Sequence, residues 1–177
     1  MRAYFGLGSN LANALGQPAD HLKFAVAKLG KLGSVRPSSL FLSSPLGPQD
    51  QPDFHNAVCE VTLSKPTDPF QLLAFTQSLE AARQRVKLRH WGERSLDVDI
   101  IYIEGVELVS ADLSVPHVGM LERSFVWLPL LELAPDLLIH PDSGETLSQW
   151  ALRTHGSACT SELLTQLGDL RKSPETL

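Results

Sequence analysis

Phe54-His55-Asn56-Ala57-Val58-Cys59-Glu60-Val61-Thr62-Leu63 is the stretch on which the fold turns. Ala57, Cys59, Val61 and Leu63 alternate with Phe54, Asn56, Val58, Glu60 and Thr62, so a period of two assigns a strand with one apolar face and one mixed face. The apolar face belongs to a core. The mixed face is free to carry polar groups, and on it Phe54 and Asn56 stand side by side. Cys59 reads as a small buried residue.

Upstream, Ser44-Pro45-Leu46-Gly47-Pro48-Gln49-Asp50-Gln51-Pro52-Asp53 reads as a long exposed loop, because three prolines withhold ladder donors and the polar residues favour turns. Ser38 to Ser43 reads as a strand before it, and Ala3 to Leu7 as a first strand ending at Gly8-Ser9-Asn10. Between them Leu22, Ala25, Val26 and Leu29 recur at helical spacing, closed by Gly30 and Gly33. Downstream, Asp68-Pro69 supplies an N-cap and an N1 proline to a helix with the stripe Leu72, Phe75, Leu79, Ala82 and Val86, expected to reach the mid-80s. Leu96 to Ile103 reads as a strand and Glu107 to Val109 as an edge piece. A third helix is expected around Glu122 to Ala134, interrupted by Pro129 and followed by Pro135 and Pro141. In the tail, Leu147, Trp150 and Ala151 mark an amphipathic turn, and Leu163, Leu164 and Leu167 a weaker second one. The order β-α-β-β-α-β-α predicts an α+β fold with helices on one face of a mainly antiparallel sheet. The other face is left for a site. One domain is expected over 1–177, with a core of about 1–145 and a helical appendage over 146–177.

The chain has 177 residues, 43% of them hydrophobic and 20% charged, the balance of an ordinary globule. With 15 Lys and Arg against 20 Asp and Glu, the net charge of −5 argues against nucleic-acid coating or attachment to anionic lipid. Cys59 and Cys159 lie far apart, without zinc-site spacing, as expected in a reducing compartment. No apolar run has the length of a bilayer span and the first residues lack a signal-peptide core, so a cytoplasmic protein is expected.

The chemistry concentrates in Trp91-Gly92-Glu93-Arg94-Ser95-Leu96-Asp97-Val98-Asp99-Ile100-Ile101. On a strand, Asp97 and Asp99 share a face with Cα atoms about 6–7 Å apart. Their oxygens can converge on one hard cation, or on a pair about 3.5–4 Å apart that bridges phosphate oxygens. Arg83, Arg85, Lys87, Arg89 and Arg94 place five of the 15 cations beside these acids. Carboxylates for the ion and guanidinium forks for oxygen charge are what a metal and polyphosphate site requires. Gln77 and Glu80 are i,i+3 neighbours off the apolar stripe. Ser114, His117 and Arg123 form a second polar group, and Phe54, Trp91 and Phe125 offer rings for stacking a flat heterocycle. There is no Gly-rich phosphate loop, so phosphates must be held by side chains and metal.

These pieces together resemble the 6-hydroxymethyl-7,8-dihydropterin pyrophosphokinase family. The matching residues are Gly8-Ser9-Asn10, the loop from Pro45 to Asn56, the block Trp91-Gly92-x-Arg94-x-x-Asp97-x-Asp99-Ile100, and Val115-Pro116-His117 with Arg123-x-Phe125, in family order over roughly 3–140. The resemblance implies a ferredoxin-like α+β fold. It also implies transfer of the terminal diphosphate of ATP to a pterin alcohol, with AMP as product and magnesium, as two ions, for cofactor. Asp97 and Asp99 then look like the magnesium ligands, and Arg94 and Arg85 like catalytic arginines at the phosphates. Gln77, Glu80, Arg85, Trp91, Arg94, Ile100, Ser114, His117 and Arg123 are similar to ATP-contacting positions. Ser43, Leu46, Phe54, Asn56, Trp91 and Phe125 are similar to pterin-binding ones.

The sequence departs from the family pattern where Ser43 replaces Thr, Ser44 Pro, Phe54 Tyr, Lys87 Arg and Glu93 Pro. A carboxylate at Glu93 is expected to weaken the positive field around Arg94, and no residue stands out as a general base. The expected partners are small molecules, the pterin alcohol and ATP, taken up by a monomer. Three alternatives stay open at this point: a catalytically silent pterin and ATP binder, a single-strand nucleic-acid module on the same fold, and a kinase that moves only the γ-phosphoryl.

Overall fold

The computed structural model describes residues 1–86, 89–140, 142–156 and 165–170. Lys87, Pro141, Cys159, Leu163 and Leu164 lie outside the described residues. Strand β1 (Arg2–Ser9) is followed by helix α1 (Pro18–Leu29), β2 (Gly33–Pro37), β3 (Ser39–Ser43), β4 (Phe54–Leu63) and α2 (Pro69–Ala82). Then come β5 (Asp97–Ile103), β6 (Leu108–Val109), β7 (Ser114–Val115), α3 (Ser124–Leu133), β8 (Leu138–His140), β9 (Glu145–Thr146), α4 (Leu147–His155) and β10 (Thr165–Asp169). The main sheet has the order β10-β3-β4-β1-β5 with β2 added against β4, and its ladders are antiparallel. This is the ferredoxin-like α+β class expected.

The quoted strand β4 carries two cores. Ala57, Cys59, Val61 and Leu63 face one hydrophobic cluster with Leu22, Ala25 and Leu29 of α1 and Leu72 and Leu79 of α2. Val58 faces a second cluster with Tyr4, Ile101, Trp127 and Leu130 of α3, and Leu147 and Trp150 of α4. Burial pushes the Cys59 thiol up to about 12, which makes it an inert core residue.

Helices α1 and α2 share one face as expected, but α3 and α4 correct the expectation of helices on that face alone. The mixed face still presents Tyr4, Phe41, Val58 and Ile101, an apolar area that must be covered, and α3 is apolar nearly all round. The covering stops short of the end where Phe54, Asn56, Asp97 and Asp99 emerge. A polar network fixes the far, C-terminal end of α3: the Tyr4 hydroxyl donates to Glu60 at 2.9 Å, and Arg36 donates to Glu60 at 2.9 Å and to the Leu133 carbonyl at 2.6 Å.

Three local readings also change. The second helix stops at Ala82, leaving Val86 well exposed, because Asn13 and Ser95 donate to the Arg83 carbonyl and Gln84 turns to φ 57°. Helix α3 runs through Pro129 without interruption, the proline being buried among Trp127, Leu128 and Leu130. Thr165–Asp169, where a second helical turn was expected, forms an antiparallel strand on β3. β2 was not read from the sequence, because Gly33 and Pro37 at its ends look like loop punctuation.

Replacing Glu60 by leucine leaves the buried Tyr4 hydroxyl without its acceptor. Urea denaturation should show a loss of about 1–3 kcal/mol. Unchanged stability would remove the network from the account of how α3 is held.

Candidate active site

The pleat of β5 sends Leu96, Val98 and Ile100 into the first core and presents Asp97 and Asp99 on the opposite face. The neighbouring strand leaves the space in front of them clear. Gly8 lies in register with Asp97 on one side and Asn56 on the other, and Gly6 lies in register with Asp99. Two glycines at alternate positions of β1 therefore give the site a floor without side chains.

Negative charge is crowded at this end. Asp97 accepts from Arg85 at 2.7 Å through one oxygen and from Arg94 at 2.6 Å through the other. Arg85 also pairs with Glu80, which accepts the Val98 N–H at 2.9 Å and so grips the backbone between the two aspartates. Burial pushes the Glu80 carboxyl up. Asp99 is pushed up to about 7, first by burial and then by the charges of Asp97 and Glu80, against the pull of Arg123 and Arg85.

Asp99 lies where two clefts meet. The first is walled by Ser43, Leu46, Phe54, Asn56, Trp91 and Phe125, with Arg94, Asp97, Asp99 and Arg123 at its inner end. Both Asn56 Nδ2 hydrogens are used, on the Ser43 hydroxyl at 2.9 Å and the Phe54 carbonyl at 3.0 Å, so its Oδ1 is left to accept from a ligand. Ser43 thus orients Asn56, and the guanidinium of Arg94 lies 5.6 Å from the Phe54 ring centroid. The second cleft is lined by Val98, Asp99, Ile100, Leu113, Ser114 and His117, among others. His117 Nδ1 accepts the Gly119 N–H at 3.0 Å, and burial and Arg123 lower its pKa. A neutral ring with Nδ1 engaged carries its proton on Nε2, a donor for the cleft. Ile100 has its side chain in the core, so only its backbone can face a ligand.

A third, polar cleft between Arg85, Arg89, Trp91 and Arg94 shares Trp91 and Arg94 with the first. Of the predicted residues, Gln77 is exposed on α2, outside the walls of these three clefts. The run of five cations does not converge. Arg83 turns to α1, donating to the Leu15 carbonyl at 3.1 Å with its guanidinium 3.9 Å from the Phe24 ring centroid. Glu93, expected to weaken the field at Arg94, is instead forked by Arg89 at 2.8 and 3.2 Å. The reading missed Gly6 and Gly8 as site residues, although their alternation in Gly6-Leu7-Gly8 was visible. It also missed Asn10, which donates to Gln51 and the Pro52 carbonyl and accepts the Arg94 N–H at 2.9 Å, tying three segments together.

An α+β sheet protein with acids, arginines and two clefts converging on one strand is the class that fold and site define. Residues 4–135 match the family model described as 7,8-dihydro-6-hydroxymethylpterin-pyrophosphokinase (HPPK). A Haemophilus influenzae protein named 2-amino-4-hydroxy-6-hydroxymethyldihydropteridine pyrophosphokinase is 44% identical over 138 residues, 77% of this chain and 84% of that protein. A Pseudomonas aeruginosa protein of the same name is 40% identical over 144 residues, covering 80% of this chain and 85% of that one. Among solved structures, wild-type HPPK-DHPS of Plasmodium falciparum with pteroate matches the fold with a TM-score of 0.62 at 13% identity. That match covers 93% of this chain, which spans 47% of the longer protein. The chain belongs to the HPPK family.

The raised carboxyl of Asp99 has a cost in stability. Its folded pKa lies above the ordinary value of 3.8, so its contribution is fully present below that value and is lost as pH rises from there through about 7. In chelator, urea denaturation should show Asp99→Asn more stable than the wild type at pH 8, on the order of a few kcal/mol, and the two nearly equal near pH 4. Parallel stability curves across that range would rule out the crowding.

Proposed function

We propose that this chain transfers the terminal diphosphate of ATP to the hydroxymethyl oxygen of 6-hydroxymethyl-7,8-dihydropterin, releasing AMP, as a step of folate biosynthesis. The observation that carries this reading is that Asp99 lines both clefts, so molecules lying in each meet at the acid pair. The relatives with the same named activity share more than three-quarters of the chain.

The pterin ring suits the first cleft. Phe54 and Phe125 offer apolar faces, the glycine floor admits a flat ring, and Asn56 Oδ1 accepts from a ring N–H or amino group. The nucleoside suits the second, where His117 Nε2–H and the Ser114 hydroxyl are available. In the transfer the alcohol oxygen bonds to the β-phosphorus, the bond from that phosphorus to the AMP oxygen breaks, and the alcohol proton is released. Holding the two molecules end to end at one strand supplies the alignment.

Magnesium fits the donor set. Among the described residues no group of three or more His, Cys, Asp or Glu side chains is placed to hold a metal. Two carboxylates are nonetheless what magnesium takes when phosphate oxygens and water complete its shell. Asp97 and Asp99 would hold it, and there it would supply charge neutralisation at the phosphate oxygens. Arg85 and Arg94, which pair with Asp97 in this structure, would take phosphate oxygens in its stead.

Incubation with magnesium, ATP and the pterin alcohol should yield AMP in step with the pterin diphosphate; formation of ADP would mean transfer of the γ-phosphoryl alone. Asp97→Ala should stay folded and lose about 10³-fold in turnover, the loss of several kcal/mol at the transition state. Near-normal turnover would take Asp97 out of the mechanism.

Gly8→Ala tests the floor. Its added carbon meets Asn56 Oδ1 and Asp97 Cβ at 3.7 Å, an ordinary contact, so folding is undisturbed. The methyl occupies ligand space, and the pterin KM should rise by about tenfold or more. An unchanged KM would place the pterin elsewhere.

A further inference from the structure

Arg89 faces neither the acid pair nor α1. Its Nη1 lies 3.0 Å from Asp50 in the long loop between β3 and β4, and its Nε and Nη2 fork Glu93 at 3.2 and 2.8 Å. Between Arg89 and Glu93 the chain makes a turn, closed by the Gly92 N–H on the Arg89 carbonyl at 3.3 Å. Its third residue is Trp91, at φ 54°. A bulky aromatic is disfavoured in that conformation and persists only where surrounding contacts hold it.

Gln51 of the long loop donates to the Trp91 carbonyl at 2.9 Å. Gly47 of the same loop backs the indole so closely that an added Cβ would lie 2.9 Å from Trp91 Cε3. At Gly92 an added Cβ would fall 2.5 Å from Arg89 Cγ, so the glycine is what lets Arg89 lie across the turn. One guanidinium thus ties both ends of the turn to the loop that carries Leu46, and Trp91 and Leu46 are walls of the first cleft.

We infer that Arg89 is a positioning residue for the pterin: it clasps the two loops through Asp50 and Glu93 and thereby holds Trp91 in place as a wall of the pterin cleft. This rests on the pterin assignment made above. Asp50 is exposed and Arg89 and Glu93 are partly so, and the Arg89–Asp50 arm of the clasp therefore weakens as salt screens it. The pterin alcohol is uncharged, so its own contacts do not share that dependence.

The test is calorimetry of the pterin alcohol with the nucleotide-free full chain, at low salt and at about 0.5 M, where screening acts within a few ångströms, alongside steady-state kinetics. Arg89→Ala should raise the pterin Kd and KM by roughly three- to tenfold while kcat and the ATP KM stay within about twofold. Salt should weaken pterin binding to the wild type more than to the variant. Arg89→Lys, which cannot fork Glu93 and reach Asp50 together, should recover only part of the loss. Asp50→Asn should weaken the wild type and add little to Arg89→Ala. An Arg89→Ala chain with wild-type pterin affinity and salt response would overturn the inference, as would a fall in kcat or a rise in ATP KM with pterin binding untouched. If the wild type takes up no pterin with or without a non-hydrolysable ATP analogue, the assignment of the cleft fails, and the clasp fails with it.

Discussion

Crowded negative charge at the end of one strand is the constraint around which this molecule is arranged. Asp97, Asp99 and Glu80 meet where water is partly excluded, and burial pushes the carboxyls of Glu80 and Asp99 up. Only nearby cations make that tolerable, and Arg85 and Arg94 supply them to Asp97 directly. Such crowding is held at the expense of stability.

The surrounding architecture keeps that charge accessible. Gly6 and Gly8 leave the sheet bare in front of the acids, while α3 and α4 cover the rest of the same face. Covering the whole face would bury the acids irretrievably; covering none would leave Tyr4, Val58 and Ile101 in water. The Tyr4–Glu60–Arg36 network anchors the C-terminal end of α3, whose N-terminal end brings Arg123 and Phe125 to the cleft. Fold and site thus share a helix.

Three of the departures from the family pattern, Ser43, Glu93 and Phe54, find partners. Ser43 keeps a hydroxyl and uses it to orient Asn56. Glu93 is forked by Arg89, so its charge is answered before it reaches Arg94. Phe54 retains the ring that faces the cleft and lies beneath Arg94. Ser43 and Phe54 meet neighbours on other segments, and Glu93 meets Arg89 four residues before it in the same turn.

Side-chain alternation along Phe54–Leu63 and Asp97–Ile103 was enough to determine the strands, the face of each acid and the pairing of Phe54 with Asn56, because the pleat is a local property with a period of two. The caps at Asp68-Pro69 and the prolines of the long loop were legible for the same reason: they act on their own backbone. What the chain alone could not reveal depends on segments far apart in sequence. Arg83 and Arg85 are two residues apart, yet Phe24 and the Leu15 carbonyl draw one away while Asp97 and Glu80 hold the other. The end of α2 is set by Asn13 and Ser95, and the role of Gly8 by the strands on either side of it. Local periodicity decides which way a side chain points; only the packed chain decides what it meets, because an ion pair or a cleft forms between segments that sequence order does not place together.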